Sequence, residues 1–210
     1  ASEEHIVALL AAERPHDARL GEEGGATPGT SGLTWVFDPL DGTTNYLYDI
    51  PQWCVSVAVE DAAGQVAGCV FDPSRGDCWV AARGAGTTLN GAPCRVSGAA
   101  DLSRALVATG FSYARERRIE QGREAQPVIA AVRDVRRLGA AALDLAWVAC
   151  GRLDAYYETG LNPWDLSAGT LLVREAGGTV TIDPLPADPS DALIVAASPG
   201  VHGPLRALLE

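Results

Sequence analysis

The chain has 210 residues, of which 47% are hydrophobic and 20% charged, enough for one large globular domain or two small ones. Its net charge of −11 argues against nucleic acid as a general electrostatic partner. Because no apolar run is long enough to span a bilayer and no signal-peptide pattern opens the chain, we expect no membrane partner and a cytoplasmic location.

The first half of the chain predicts a helix followed by a sheet. Apolar periodicity predicts an amphipathic helix over 2–13, which ends before Pro15. Residues 24–32 are rich in glycine, threonine, serine and proline, so they predict a loop. A buried strand then ends at Phe37. Alternating apolar residues predict a further antiparallel meander with one face on a helix layer, with strands at 53–60, 65–72, 77–82 and 87–89.

The second half alternates between strands and helices, which is typical of an α/β arrangement. The segment 111–127 is polar, rich in arginine and poorly periodic, so it predicts no element. We place a soft boundary near 103, between an N-terminal α+β region (1–103) and a C-terminal α/β region (104–210). Strands are predicted at 105–109, 134–138, 153–158, 179–182 and 192–197, and helices at 127–133, 139–150, 166–176 and after Pro199.

Two features of the composition exclude whole classes of site. All 16 basic residues are arginine, so the sequence offers no lysine for a P-loop or a Schiff base. The five cysteines show no CxxC spacing, and their odd number makes free thiols the expected state. The two histidines near the start, His5 and His16, have no metal-ligand spacing and are interpreted as surface or packing residues.

Two carboxylates follow directly on the strand that ends at Phe37. Asp38 precedes Pro39, which predicts a turn, and Asp41 comes three residues after Asp38. The next residues, 42–45, look like a helix start with free backbone N–H groups. Carboxylates beside such a helix start can hold Mg²⁺ and a phosphate together. A polar turn without any ligand explains the same residues.

The other acidic candidates are ambiguous when taken alone. Glu22 and Glu23 fit a solvated surface turn, and Asp165 fits the N-cap of the helix that follows it. Glu158 fits a carboxylate at a strand end. Arg136 and Arg137 are candidates for contact with a substrate phosphate, and each alone also fits a solvated surface position.

Three motifs, in this order along the chain, resemble the inositol monophosphatase family of Mg²⁺-dependent, lithium-sensitive phosphatases. They are GEE at 21–23, WVFDPLDGTTNY at 35–46 and NPWDLSAGTLLVREAGG at 162–178. The resemblance covers nearly the whole chain and implies a layered α-β-α-β-α sandwich, like that of fructose-1,6-bisphosphatase, and a homodimer. Family members usually carry a further N-terminal helix and an Asp-x-x-Thr segment, so we expect this chain to lack its natural start.

The resemblance also implies a site with two or three Mg²⁺ ions. The first ion would bind Glu22, Asp38 and the carbonyl of Leu40, with Glu23 as the alternative to Glu22. The second ion would bind Asp38, Asp41 and Asp165. A third, weaker ion would bind Glu22 and waters. Glu22 and Thr43 would position the attacking water, and we expect Asp41 to be catalytic with them. The implied protein ligands are four carboxylates and one backbone carbonyl: Glu22, Asp38, Asp41, Asp165 and Leu40.

The implied substrate is a small phosphorylated polyol. The backbone N–H groups of Gly42 and Thr43 would bind its phosphate, and Glu158 would accept a hydrogen bond from a hydroxyl group. Asp165 is also an implied substrate contact. The stretch Gly139, Ala140 and Ala141 matches a family segment that touches the substrate, often with serine or threonine where Ala140 stands.

The expected function is hydrolysis of inositol monophosphate to inositol and phosphate, by direct attack of a metal-activated water. Histidinol phosphate, fructose 1,6-bisphosphate and a 3′-phosphoadenosine nucleotide are alternative substrates on the same scaffold, and a non-catalytic regulatory relative is a further alternative. A haloacid-dehalogenase-type phosphatase is excluded, because it needs Asp-x-Asp and a lysine. A Ser-His-Asp hydrolase has little support, since no histidine lies near a suitable nucleophile.

Overall fold

The computed structural model describes residues 1–184 and 191–210, and helices and sheets stack in layers throughout these ranges. None of the helices described there is long and apolar enough to cross a bilayer. A single 3₁₀ turn covers Leu102–Arg104. The α-helices are α1 (Ser2–Glu13), α2 (Thr43–Leu47), α3 (Arg115–Ala131), α4 (Ala141–Ala149), α5 (Pro163–Glu175) and α6 (Pro199–Arg206).

The first sheet has eight strands in the order β2-β1-β3-β4-β5-β6-β7-β8. Strand β1 pairs parallel with β3, and every other neighbouring pair in this sheet is antiparallel. Because β1 and β3 are parallel neighbours, their carboxyl ends lie side by side. The GEE motif after β1 and the acidic motif at the end of β3 therefore meet at the same end of the sheet. The strands are β1 (Ala18–Gly21), β2 (Gly25–Thr27), β3 (Thr34–Asp41), β4 (Cys54–Asp61), β5 (Gly64–Asp72), β6 (Asp77–Ala82), β7 (Gly86–Leu89) and β8 (Ala92–Cys94).

The second sheet has five strands in the order β10-β9-β11-β13-β12. Strand β9 pairs parallel with both β10 and β11, whereas β13 pairs antiparallel with β11 and β12. The sheet is therefore mixed. Its strands are β9 (Leu106–Thr109), β10 (Asp134–Arg136), β11 (Ala155–Thr159), β12 (Thr179–Pro184) and β13 (Ala192–Ala197).

Helices α4 and α5 fill the space between the two sheets. They contact strands of both, and Trp79 of the first sheet and Tyr156 of the second are fully buried in the one core that surrounds them. The opposite face of the second sheet packs on α3 and α6 through a separate core that includes Val107, Val128 and Val201. On the outer face of the first sheet, Phe37 lies beside Glu3 of α1. The predicted α-β-α-β-α sandwich is confirmed.

The structure differs from the sequence prediction in four strands and one helix. Strands β1, β2 and β8 were not predicted, because each is at most four residues long and gains its partners from tertiary pairing. Strand β3 does not stop at Phe37 but continues through Pro39 to Asp41, with a register shift between Asp38 and Asp41. Helix α3 occupies much of the segment for which no element was predicted.

The division of the chain near residue 103 into an N-terminal and a C-terminal region stays a prediction. The strands of the first sheet all lie before residue 103 and those of the second sheet all lie after it. Helices α4 and α5, however, come from the second half and pack on both sheets. The central layer therefore joins the two halves.

Candidate active site

A cavity of about 500 Å³ opens where the end of β3 meets the N-termini of α2, α4 and α5. All eleven residues that the family resemblance implied for the site contribute to the wall of this cavity. These residues come from five separate segments, so the fold alone brings them together. They are Glu22, Asp38, Leu40, Asp41, Gly42, Thr43, Gly139, Ala140, Ala141, Glu158 and Asp165.

Three carboxylates form the centre of the site. Asp38, Asp41 and Asp165 each place one oxygen within 4.8 Å of the others, an arrangement that can hold a metal ion. Asp38 is only 2% exposed and Asp41 only 7%. The ion pairs among residues 1–184 and 191–210 leave out all three of these side chains. Buried carboxylates without a cationic partner are unfavourable unless another positive group compensates them.

The backbone of α4 supplies some of that compensation at Asp41. Its Oδ1 accepts a hydrogen bond from the N–H of Ala141 at 3.2 Å, and its Oδ2 accepts one from the N–H of Ala142 at 2.7 Å. Both N–H groups lie in the first turn of α4, where the helix itself offers them no acceptor and the helix dipole favours negative charge. The thiol of Cys54 also contacts Oδ2, at 3.6 Å. Asp41 of β3 is thus held by the start of a helix that lies 100 residues later in the chain.

The bulge at the end of β3 orients the Leu40 carbonyl. Asp38 Oδ1 accepts a hydrogen bond from the Leu40 N–H at 2.8 Å, and the hydroxyl of Thr43 donates to the Leu40 oxygen at 3.0 Å. Gly42 caps α2 with a φ of 89°, a left-handed conformation that favours glycine. A Cβ at Gly42 would also lie 2.9 Å from the Gln52 oxygen. Conformation and space both require glycine here.

Asp165 is not the N-cap of its helix, so that prediction is wrong. Helix α5 begins one turn earlier, with Asn162 as N-cap and Pro163 as the first helical residue. Asp165 is the third helical residue of a capping box, and its Oδ2 accepts a hydrogen bond from the Asn162 N–H at 2.7 Å. This bond fixes the side chain at the N-terminus of α5, facing the other two carboxylates.

Burial and mutual repulsion raise the pKa values of all three carboxyl groups. Burial raises the pKa of Asp41 from 3.8 to about 7, and the charge of Asp165 adds to the effect. The pKa of Asp165 is raised to about 6, mainly by burial. Asp38 has its pKa raised furthest, by burial and then by the adjacent Asp41 carboxylate. Such a cluster favours binding of either protons or a cation.

Glu22 lies apart from the central three, on the exposed turn between β1 and β2. Glu22 nevertheless lines the same cavity, and its charge raises the pKa values of both Asp38 and Asp165. Of the two candidate metal ligands Glu22 and Glu23, the structure favours Glu22, because Glu22 lines the cavity and Glu23 does not. The backbone N–H of Glu23 is instead bound by Glu3.

Glu158 also lines the cavity, outside the cluster of three aspartates. Its Oε2 accepts a hydrogen bond from the Tyr156 hydroxyl at 2.5 Å, and burial raises its pKa from 4.5 to about 7. Gly110 makes room for it: a Cβ at Gly110 would lie 1.9 Å from Glu158 Oε2. Of the two neighbouring arginines, Arg137 lines the cavity, whereas Arg136 pairs with Asp134 at 2.7 Å. Arg136 is therefore a surface residue.

Several residues of the cavity wall were not predicted from the sequence. The loop from Gly110 to Tyr113 closes one side, and it lies in the polar stretch for which no element was predicted. Asn45 supports this wall without lining the cavity: it donates hydrogen bonds to the carbonyls of Gln52 at 2.7 Å and Leu138 at 2.8 Å, so it joins α2 to the segment before α4. Its place in the GTTN run was the only available signal.

Comparisons with known proteins agree with this arrangement. The inositol monophosphatase family model matches residues 1–209. Inositol-1-monophosphatase SuhB of Mycobacterium tuberculosis is 44% identical over 211 aligned positions, which cover 96% of this chain and 72% of that protein. A Xylella fastidiosa protein named Nus factor SuhB is 46% identical over 180 positions, which cover 85% of this chain and 65% of that protein. The chain thus spans about two thirds of the length of these relatives.

Solved structures are similar over almost the entire chain. The extragenic suppressor protein suhB of Bartonella henselae has a TM-score of 0.92 at 38% identity, and the match covers 100% of this chain and 81% of that one. The inositol monophosphatase of Anabaena has a TM-score of 0.92 at 37% identity, covering 99% and 83%. The resemblance carried by the three motifs is confirmed: the chain belongs to the inositol monophosphatase family.

Proposed function

We propose that this protein is a Mg²⁺-dependent phosphomonoesterase that hydrolyses inositol monophosphate to inositol and inorganic phosphate. The observation that carries the proposal is the cluster of Asp38, Asp41 and Asp165, whose oxygens lie within 4.8 Å of one another on the wall of a 500 Å³ cavity. Membership in a family whose relatives include named inositol monophosphatases supports the substrate class.

The residues at the site fit a divalent cation. All the donors are oxygens, which Mg²⁺ prefers, and the buried carboxylates have no arginine partner among the described residues. Glu22, Asp38 and the Leu40 carbonyl would hold one ion, and Asp38, Asp41 and Asp165 a second. A third, weaker ion would use Glu22. Bound Mg²⁺ would neutralise phosphoryl charge, lower the pKa of a water and stabilise the leaving alkoxide.

The side chains around the cluster have separate roles in the proposed reaction. The Thr43 hydroxyl donates its proton to the Leu40 oxygen, so its own oxygen would act as the acceptor of a hydrogen bond from the attacking water. Glu22 would accept the proton that this water loses. The N–H groups of Gly42 and Thr43, at the start of α2, would bind the phosphoryl oxygens. A P–O bond to the water oxygen forms as the ester P–O bond breaks. The inositol oxygen gains a proton from solvent water, which balances the proton that Glu22 takes and later releases to solvent.

The part of the cavity wall that Glu158 and the segment 139–141 form would bind the polyol ring. Glu158 presents a carboxylate that Tyr156 already orients, and Gly139, Ala140 and Ala141 provide a wall of small residues beside it. Asp165 belongs to the carboxylate cluster on the cavity wall and would contact the substrate as well. Because Ala140 carries no hydroxyl, the polar recognition of the ring depends mainly on Glu158.

Glu158→Gln should therefore reduce kcat/KM for inositol monophosphate about tenfold while changing hydrolysis of p-nitrophenyl phosphate less than about twofold. A lost charge-assisted hydrogen bond to a substrate hydroxyl is worth roughly 1.5–3 kcal/mol, and p-nitrophenol offers no such hydroxyl. Steady-state kinetics with both esters would measure the ratio. Equal losses for the two substrates would refute the assignment of Glu158 to ring recognition.

The pH dependence of stability offers a test that needs no substrate. In the metal-free protein the raised carboxyl pKa values mean that the folded state keeps protons which the unfolded chain has lost, between about pH 4 and pH 7. The free energy of unfolding should therefore fall as the pH rises through this window. Mg²⁺ replaces those protons, so the increase in melting temperature that it causes should grow from about pH 5 to about pH 8. A constant increase would contradict a carboxylate metal site.

The function itself is tested by phosphate release from a panel of esters, in Mg²⁺ and in EDTA. Inositol monophosphate should be the fastest substrate, ahead of histidinol phosphate, fructose 1,6-bisphosphate and a 3′-phosphoadenosine nucleotide, and EDTA should abolish release. A different fastest ester would keep the chemistry and change the substrate. Absence of turnover in a protein that still binds Mg²⁺ would overturn the enzymatic proposal.

A regulatory function is the second candidate, because several relatives are named Nus factor SuhB. Only the panel separates it from the phosphatase, since the acidic cluster is compatible with either outcome until turnover is measured. The homodimer and the cytoplasmic location stay predictions.

A further inference from the structure

Glu3, in the first turn of α1, is a buried carboxylate that binds backbone rather than a cation. It is only 6% exposed. Its Oε2 accepts a hydrogen bond from the Glu23 N–H at 3.0 Å, and its Oε1 accepts one from the Gly24 N–H at 2.7 Å. These two N–H groups immediately follow Glu22 in the chain. Glu3 therefore holds the turn that presents Glu22 to the cavity.

The glycines of this turn are explained by the same contact. A Cβ at Gly21 would lie 2.7 Å from Glu3 Oε1 and 2.6 Å from a ring carbon of Phe37. A Cβ at Gly24 would lie 2.6 Å from the same Glu3 oxygen. Neither glycine has a positive φ, so backbone conformation does not require glycine here; a side chain at either position would instead displace the Glu3 carboxylate from its hydrogen bonds.

The neighbouring Ser2 makes an equivalent contact with the other acidic segment. Its hydroxyl donates a hydrogen bond to the Pro39 carbonyl at 3.0 Å. Pro39 lies between Asp38 and Leu40, in the bulge of β3. One helical turn thus bonds to both backbone segments that carry the proposed ligands of the first metal ion. We call Ser2 and Glu3 together the α1 clamp.

We infer that the α1 clamp is a positioning device that sets the distance between Glu22 and the Asp38–Leu40 segment, and so determines the affinity of the first metal ion. The inference rests on the proposed role of Glu22 as a ligand. Glu22 needs such support because it lies on an exposed turn, outside the cluster of three buried carboxylates. Groups that orient metal ligands in this way typically change metal affinity by about 10- to 100-fold when removed.

The test measures binding of Mn²⁺ alone, by isothermal titration calorimetry, without any substrate. Glu3→Ala and Glu22→Ala should each weaken the affected site by about 10- to 100-fold. The double variant should be no weaker than Glu22→Ala, because Glu3 acts through Glu22. Glu3→Gln keeps one acceptor oxygen and should fall between wild type and Glu3→Ala. Glu4→Ala, one residue along on the exposed face of the same helix, is the matched control and should bind normally.

Each outcome decides between specific alternatives. Normal Mn²⁺ affinity in Glu3→Ala, beside weakened affinity in Glu22→Ala, would overturn the inference and leave the proposed function intact, even if the melting temperature fell. Normal affinity in Glu22→Ala would overturn the ligand assignment and the inference together. Should Glu3→Ala fail to fold, Glu3→Gln and Ser2→Ala decide the question, because both should weaken Mn²⁺ binding more than Glu4→Ala does.

Discussion

Replacement of Asp41 by asparagine is expected to lower the turnover of phosphate esters by on the order of 10²- to 10³-fold. The change removes one of the three negative charges whose oxygens lie within 4.8 Å of one another. An asparagine has nearly the same shape, and its amide oxygen can still accept a hydrogen bond from the N–H of Ala142, as Asp41 does at 2.7 Å. The effect should therefore fall on metal binding and catalysis rather than on folding.

The metal-free variant should keep the fold, because the substitution relieves repulsion from Asp38 and Asp165 while it loses one hydrogen bond, from the Ala141 N–H at 3.2 Å. Circular dichroism and thermal melting in EDTA would establish this, and phosphate release in Mg²⁺ would give the turnover. Asp61→Asn is the matched control, because Asp61 pairs with Arg83 at 2.9 Å at the far end of β4. Unchanged turnover in Asp41→Asn would refute the metal assignment.

The motifs predicted the site well because the residue spacing within a single motif already places its side chains close together. Asp38 and Asp41 lie three residues apart at a strand end, next to a helix start, so sequence spacing alone places them together. Glu158 and the segment Gly139–Ala141 were placed only through the family resemblance. All of these residues line the cavity.

What the sequence did not predict depends on contacts between distant segments. The Glu3 carboxylate binds N–H groups 20 and 21 residues away, and the contact between Cys54 and Asp41 joins neighbouring strands. No periodic pattern marks such pairs. Asp165 was misassigned as an N-cap for a local reason: Asn162 and Pro163 provide a better helix start one turn earlier.

The same distinction applies to the fold. Strands β4 to β6 and helix α4 were found because buried elements leave a clear apolar pattern. Only the end of α3 was predicted, as part of the helix expected at 127–133. The rest was missed because α3 lies on the surface, buries only Gln121, Ala125 and Val128, and contains Pro127, a residue that usually interrupts helices. Strand β1 is four residues long, and its parallel partner β3 is distant in sequence.

The central layer gives the largest expected effect on stability. Gly169 of α5 faces α4 so closely that a Cβ would lie 2.6 Å from both Cβ and Cδ1 of Leu145. Both residues are buried, so neither helix can move without disturbing the core between the two sheets. Gly169→Ala should lower the free energy of unfolding by about 1–3 kcal/mol, the usual effect of overpacking a filled core. Urea denaturation would measure it.

Gly122→Ala is the matched control, because it is the same substitution in another helix interior. Gly122 lies in α3, and a Cβ there would meet no atom within 4 Å. With no clash to oppose it, the better helix propensity of alanine should raise the free energy of unfolding by about 0.5–1 kcal/mol. The two variants should thus shift stability in opposite directions. If Gly169→Ala were stabilising as well, α4 and α5 would not pack as tightly as described, and the position of Asp165 at the start of α5 would lose its structural basis.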